Sequence, residues 1–258
     1  MRQMCALLAL AVATVASGSL EPQSKANPSR LVGGEFIART QQTAAGPMPY
    51  RLYIPRNYTP QRRYPLILWL HGGGGSGNDN ARQIAGDQVP GTHTWTTPER
   101  QLDHPAFVLV PQTVGPLWVD AHTPELGPEL AKVIRILDAV SAAFPTDPRR
   151  VYVLGQSIGG RGVWSLISNA PERFAAAIML CPNSGDITRA SRAAQLPIWI
   201  FQGDGDVLRV EGSRALVAAL RAAGGRPRYT EYPHVGHDIW TRVFAEPGIV
   251  PWLFAQSR

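Results

Sequence analysis

Ser157 is the residue of this chain best placed to do covalent chemistry. It lies in Gly155-Gln156-Ser157-Ile158-Gly159, after the apolar run Arg150–Leu154 and before a helix-like stretch from Gly160 to Ile167. A G-x-S-x-G segment between a strand and a helix makes a sharp turn that leaves the serine exposed at its tip. A serine hydroxyl is a poor nucleophile at neutral pH, so it needs a base within hydrogen-bond reach and a carboxylate to orient that base. A serine on such a turn takes its acid and then its base from loops after later strands. Both are present. The apolar run Pro197–Phe201 leads into Gln202-Gly203-Asp204-Gly205-Asp206, and Pro227–Tyr232 leads into Pro233-His234-Val235-Gly236-His237. Asp206 is favoured over Asp204, because an Asp-Gly pair reads as a turn-former that hydrogen-bonds nearby backbone. His237 is favoured over His234, because Gly236 frees the loop to present it.

An acyl-transfer site also needs donors for the oxyanion of its transition state. His71-Gly72-Gly73-Gly74-Gly75 follows a buried strand and has the form of an oxyanion loop. Glycines there let backbone N–H groups approach a developing negative charge unobstructed. Gly73 and Ile158 are the expected donors, with His71 supporting the loop. The glycine run lacks both the Lys-Ser/Thr ending of a P-loop and the spacing of a dinucleotide-binding turn. No H-x-x-x-H pair or Cys/His cluster points to a resident metal, and no cofactor is expected.

The elements needed to position these residues alternate along the chain. Strands are expected at Tyr50–Pro55, Tyr64–Leu70, Ala106–Val110, Arg150–Leu154, Ala175–Leu180, Pro197–Phe201 and Pro227–Tyr232. Apolar residues at helical spacing mark Leu130–Phe144, the segment after Ser157, Ser213–Ala223 and Trp240–Phe244. Strands that are apolar throughout, alternating with helices, imply an α/β fold with a mostly parallel sheet covered on both faces.

Met1-Arg2-Gln3 is a short cationic start, Met4–Val15 is almost entirely apolar, and Ala16-Ser17-Gly18 offers small residues for cleavage. Residues 1–18 therefore read as a signal peptide of a secreted or periplasmic protein, since the apolar run is too short to span a bilayer. Residues 19–45 read as a flexible leader and 46–258 as one catalytic domain. Of the two cysteines only Cys181 follows the signal segment, so no internal disulfide is expected, and Cys181 reads as a packed core residue. The net charge of +6 is spread over scattered arginines. With no basic-aromatic stripe, nucleic acid is not an expected partner. No membrane span is expected either, and the protein is expected to be a monomer.

Together these motifs resemble the secreted α/β-hydrolase esterases related to polyhydroxybutyrate depolymerases and feruloyl esterases. The resemblance rests on His71-Gly72 with Gly77–Asn80, His104–Gln112, Gly155–Gly160, Pro171–Ala177, Tyr229–Pro233, and Gly236-His237-Asp238 with Trp240. It implies an α/β-hydrolase fold, with Ser157 as nucleophile, Asp206 as acid, His237 as base, and Gly73 and Ile158 as oxyanion donors. The chain departs from the pattern at Gln202-Gly203, where the group usually has His-Gly, and at Val207-Leu208-Arg209, where it has a Val-Val-Pro-like stretch. The interval between Ser157 and Asp206 is filled by core elements and leaves no room for a large lid domain. An open cleft suits bulky or polymeric esters. Trp95, Trp118 and Trp240 fall in loops that could line such a cleft, with Trp118 and Trp240 as the candidate substrate-binding residues, and core packing is the alternative ranked higher for each of them. The reading is a serine carboxylesterase acting on short-acyl, aryl or polyester substrates. A serine peptidase of the same fold and a non-catalytic binding protein are its alternatives.

Overall fold

A computed structural model describes residues 33–119, 125–183, 186–207 and 209–258. The expected signal peptide and the first part of the expected leader lie outside the described residues. Eight strands form one sheet: β1 (Phe36–Gln41), β2 (Met48–Tyr53), β3 (Tyr64–Leu70), β4 (Phe107–Pro111), β5 (Thr146–Gln156), β6 (Ala176–Leu180), β7 (Ile198–Gly203) and β8 (Arg228–Tyr232). Their order in space is β1-β2-β4-β3-β5-β6-β7-β8. The pairs β1–β2 and β2–β4 are antiparallel, and from β4 through to β8 every pair is parallel.

The central strands β3, β4, β6 and β7 are buried along their whole length. That follows from their composition, because continuous Leu, Ile and Val runs suit a sheet packed on both faces. Alternate residues divide between two cores. Leu66, Leu68 and Leu70 of β3 pack on one face with helices α3 (Pro128–Ala143), α4 (Ile158–Asn169) and α6 (Val210–Ala222), while Ile67 and Trp69 face the other core. That second core gathers Trp95, which follows α1 (Val89–His93), and residues of α7 (Trp240–Phe244) and α8 (Ile249–Phe254). Two short helices, α2 (Pro98–Asp103) and α5 (Ala190–Ala193), complete the set among the described residues. This is an α/β-hydrolase fold. No helix among the described residues is long and apolar enough to cross a membrane.

One boundary differs from the expectation. Residues 36–41, assigned from sequence to the flexible leader, form β1 and pair with β2 from Phe36↔Tyr53 to Gln41↔Met48. The segment shows little periodicity of its own. Its order comes from the ladder with β2 and from the Phe36 ring, which meets Tyr53 at 5.5 Å. Between Ser157 and Asp206 the described residues hold only α4, a short 3-10 turn, β6, α5 and β7.

Candidate active site

The C-terminal ends of the parallel strands carry the site. β5 ends at Gln156, and α4 begins at Ile158. Ser157 makes the whole turn alone, with φ 55° and ψ −118°. A non-glycine residue in such a conformation costs on the order of 1–3 kcal/mol and persists only where its surroundings enforce it. Here they do. The Ser157 N–H donates to the Leu180 carbonyl at 2.8 Å, and the Ser157 carbonyl accepts from the Arg161 N–H at 3.2 Å. Strand and helix then close on each other where no side chain fits: a Cβ on Gly159 would lie 2.0 Å from the Leu70 oxygen, and one on Gly155 would lie 2.6 Å from the Gly159 carbonyl.

Ser157, His237 and Asp206 form one hydrogen-bonded line. Ser157 Oγ lies 2.9 Å from His237 Nε2, and His237 Nδ1 lies 2.6 Å from Asp206 Oδ2. With the imidazole proton on Nδ1, the ring donates to the carboxylate and its Nε2 accepts from the serine hydroxyl. The Asp206 side chain is 5% exposed and that of His237 is 33% exposed, so the acid is sheltered while the base faces the cleft.

The other two candidates fall elsewhere. Asp204 Oδ1 accepts the His234 backbone N–H at 2.6 Å, tying the acid turn to the base loop. His234 itself is exposed, with φ 59°. The two loops also meet backbone to backbone. The Gly205 N–H donates to the Val235 carbonyl at 2.9 Å, and a Cβ on Gly203 would stand 2.3 Å from the Val235 and Gly236 oxygens. Asp204 therefore stabilises the turn that presents Asp206, across the loop pair rather than within its own turn.

A shell around Asp206 was not foreseen from the sequence. Gln202 is fully buried; its Nε2 donates to Asp206 Oδ2 at 3.4 Å and to the Gly203 carbonyl at 3.1 Å, while its Oε1 accepts from Ser213 Oγ at 2.7 Å. Arg209 Nη1 stands 3.5 Å from Asp206 Oδ1. Gln202 and Arg209, which depart from the pattern this chain resembles, thus contact the carboxylate beside His237. Cys181 lies behind the same group. Its Sγ is 3.5 Å from the His237 carbonyl, and burial pushes its thiol up to about 12. As expected it is a buried core residue, and among the described residues it is the free cysteine.

The glycine-rich loop lies beside the elbow. Gly73–Gly75 form a short 3-10 turn. Gly73 is exposed, and nothing lies within 4 Å of where its Cβ would be. Ile158 opens α4, where the first N–H groups have no partner within the helix. Among the described residues neither the Gly73 nor the Ile158 N–H has a protein acceptor. His71 holds the loop from beneath: its Nδ1 is 2.7 Å from the Gly72 carbonyl, and its Nε2 accepts from the Thr113 N–H at 3.2 Å. Burial pulls its pKa down to about 4, so the ring stays neutral and serves as a strut. Gln88 Oε1 accepts the Gly72 N–H at 2.9 Å, and Gln112 Nε2 donates to the Gly75 carbonyl at 3.1 Å.

Trp118 and Trp240, the candidate substrate-binding residues, and Trp95 do not line the cleft; all three take the alternative, core packing. Trp118 is 1% exposed, donates from Nε1 to the His71 carbonyl at 2.9 Å and packs on the His71 ring. Trp240 is 5% exposed and meets the His237 ring edge-on, at 5.1 Å between centroids. Trp95 is fully buried, its Nε1 bonded to the Gly91 carbonyl. Each follows a strand end or loop, but the rings turn inward because apolar area is better spent in the two cores. Trp118 and Trp240 support the glycine loop and the base instead of offering a face to substrate.

An α/β-hydrolase fold with a serine, a histidine and an aspartate joined at its strand ends is the architecture of serine hydrolases. No family model matches the chain. It is 27% identical over 175 residues to a probable feruloyl esterase C of Aspergillus terreus (strain NIH 2624 / FGSC A1156), covering 68% of this chain and 61% of that protein. It is 25% identical over 201 residues to a probable inactive carboxylesterase of Oryza sativa subsp. japonica, covering 70% of this chain and 80% of that one. Among solved structures it is similar to a thermostable esterase, with a TM-score of 0.81 and 37% identity over 88% of this chain and 64% of the other. The chain thus spans somewhat less than two thirds of the first of these relatives and of that structure. The likenesses bear out the α/β-hydrolase fold and set this chain beside esterases.

Proposed function

We propose that the protein is a serine carboxylesterase working through an acyl-enzyme on Ser157. The observation that carries this reading is the line Ser157 Oγ–His237 Nε2 at 2.9 Å and His237 Nδ1–Asp206 Oδ2 at 2.6 Å. His237 takes the Ser157 hydroxyl proton as Oγ attacks the ester carbonyl. The carbonyl oxygen becomes an oxyanion, received by the N–H groups of Gly73 and Ile158. The tetrahedral adduct collapses and the alkoxide leaves with the proton from His237. Water, deprotonated by the same ring, then hydrolyses the acyl-enzyme. Asp206 stays ionised and steadies the imidazolium in both halves.

The substrate reading is an ester with a bulky or aryl acyl group, hydroxycinnamoyl esters included. It is supported by the feruloyl esterase likeness and by the absence of a lid domain among the described residues between Ser157 and Asp206. The N-terminal segment marks the protein for export, which N-terminal sequencing of the extracellular or periplasmic form tests. Ser157→Ala should reduce hydrolysis of a p-nitrophenyl ester by roughly 10⁵-fold or more and abolish labelling by a fluorophosphonate. Undiminished turnover by this variant refutes the mechanism. Comparing activated esters with peptide p-nitroanilides separates the esterase from the peptidase reading. A wild-type protein that takes no label would be a non-catalytic relative.

A further inference from the structure

Cys181, Asp206 and His237 sit on three different loops, after β6, after β7 and after β8. Sγ, a carboxylate oxygen and a ring nitrogen of these three residues all lie within 4.8 Å of one another. A thiolate, an imidazole and a carboxylate are the donor set of a zinc-type ion. Cys181 is held toward the other two by an unusual backbone: its φ is 45°, and its N–H is fixed to the Phe201 carbonyl at 2.9 Å. We infer that these residues form a capture site for a thiophilic divalent cation, Zn²⁺ or Cd²⁺, and that its occupation switches the esterase off.

The required movement is small. Ligands at about 2.0–2.3 Å around a tetrahedral ion stand about 3.3–3.8 Å apart. Asp206 Oδ2 and His237 Nδ1, now at 2.6 Å, would separate, and Sγ would close in. The ion takes the place of the proton between ring and carboxylate. That proton reappears on Nε2, the thiol releases one proton to solvent, and the ion gains bonds to Sγ, Nδ1 and a carboxylate oxygen. With Nε2 protonated, His237 can no longer accept the Ser157 proton. The partly exposed edge of His237 is the way in. The Arg209 guanidinium, 3.5 Å from Asp206 Oδ1, opposes a second cation there, so binding is reversible and moderate rather than structural.

The switch rests on the esterase reading, but binding itself is observable without turnover. Cd²⁺ added to the Ser157→Ala protein should produce the ultraviolet thiolate-to-cadmium charge-transfer band, with one proton released per ion, and Cys181→Ala should remove the band. In the active protein, Cys181→Ala should raise the Zn²⁺ concentration for half-inhibition at least about tenfold relative to its own metal-free rate. Cys181→Ser, close in volume, should do the same, which separates ligand loss from a packing defect. The inference is overturned if Cd²⁺ gives no thiolate band, or if both cysteine variants are inhibited as readily as the wild type. A thiolate band with no loss of turnover overturns the switch while leaving the cation site.

Discussion

The nucleophile elbow and the acid turn perform the same task by opposite means. Each carries one side chain off the end of a parallel strand and holds it for His237. The elbow does so by steric exclusion: Ser157 is forced to φ 55° while Gly155 and Gly159 allow backbone to lie on backbone. The acid turn does so with polar groups: Asp206 is surrounded by Gln202, Arg209 and His237, and the turn is clamped to the base loop by Asp204. A sterically built site tolerates almost no added volume. A polar one tolerates substitutions in proportion to the hydrogen bonds they remove.

The largest expected effect tests the acid turn at its centre. Asp206→Asn should lower kcat/KM for a p-nitrophenyl ester about 10⁴-fold, because the amide favours the wrong imidazole tautomer. Asp204→Asn should cost less than about tenfold, since it touches only the turn. Equal losses would erase the distinction drawn between the two. Next comes the elbow. In Gly159→Ala the new Cβ meets the Leu70 carbonyl at 2.0 Å, which should cost about 3 kcal/mol in urea denaturation and slow fluorophosphonate labelling; a variant of wild-type stability would refute the steric account.

Acid should find the elbow side through His71. Its folded pKa lies below its ordinary value, at about 4 against 6.5. In that window the unfolded chain binds a proton that the folded chain does not. The stability is therefore complete above pH 6.5 and falls as pH drops toward 4, by about 3 kcal/mol from this one residue. His71→Gln should flatten the slope of unfolding free energy across that window, whatever its effect at neutral pH. The smallest effect belongs to the acid shell. Gln202→Ala should lower kcat about tenfold with KM unmoved, as for a group that positions Asp206 without touching substrate. A change confined to KM would give Gln202 a different role.

The reacting residues were legible because strand-loop order constrains them. An acid after β7 and a histidine after β8 can be found by counting runs, and the Asp-Gly rule separates Asp204 from Asp206. Gln202 and Arg209 were visible only as departures from a pattern. Their contact with the carboxylate depends on how the turn folds back on α6, which no local signal encodes. Trp118 and Trp240 stood between cleft and core in the sequence, because position near a strand end says nothing about which way a ring turns; both turn inward, Trp240 as the first residue of α7. β1 went unread since its order comes from pairing with β2. The five- and six-residue helices α1, α2 and α8 are too short to show a period. Cys181 was read correctly as core, yet its closeness to Asp206 and His237 joins three loops distant in sequence.

The edge-on contact between Trp240 and His237 turns the base into an optically readable group. A protonated imidazole quenches an indole at this distance far more than a neutral one does. The emission of Trp240, isolated as the difference between the wild type and Trp240→Phe, therefore reports the charge on His237 in the resting protein. In the proposed mechanism the tetrahedral adduct on Ser157 leaves His237 as an imidazolium, so that adduct would register as a change in light before either product is released.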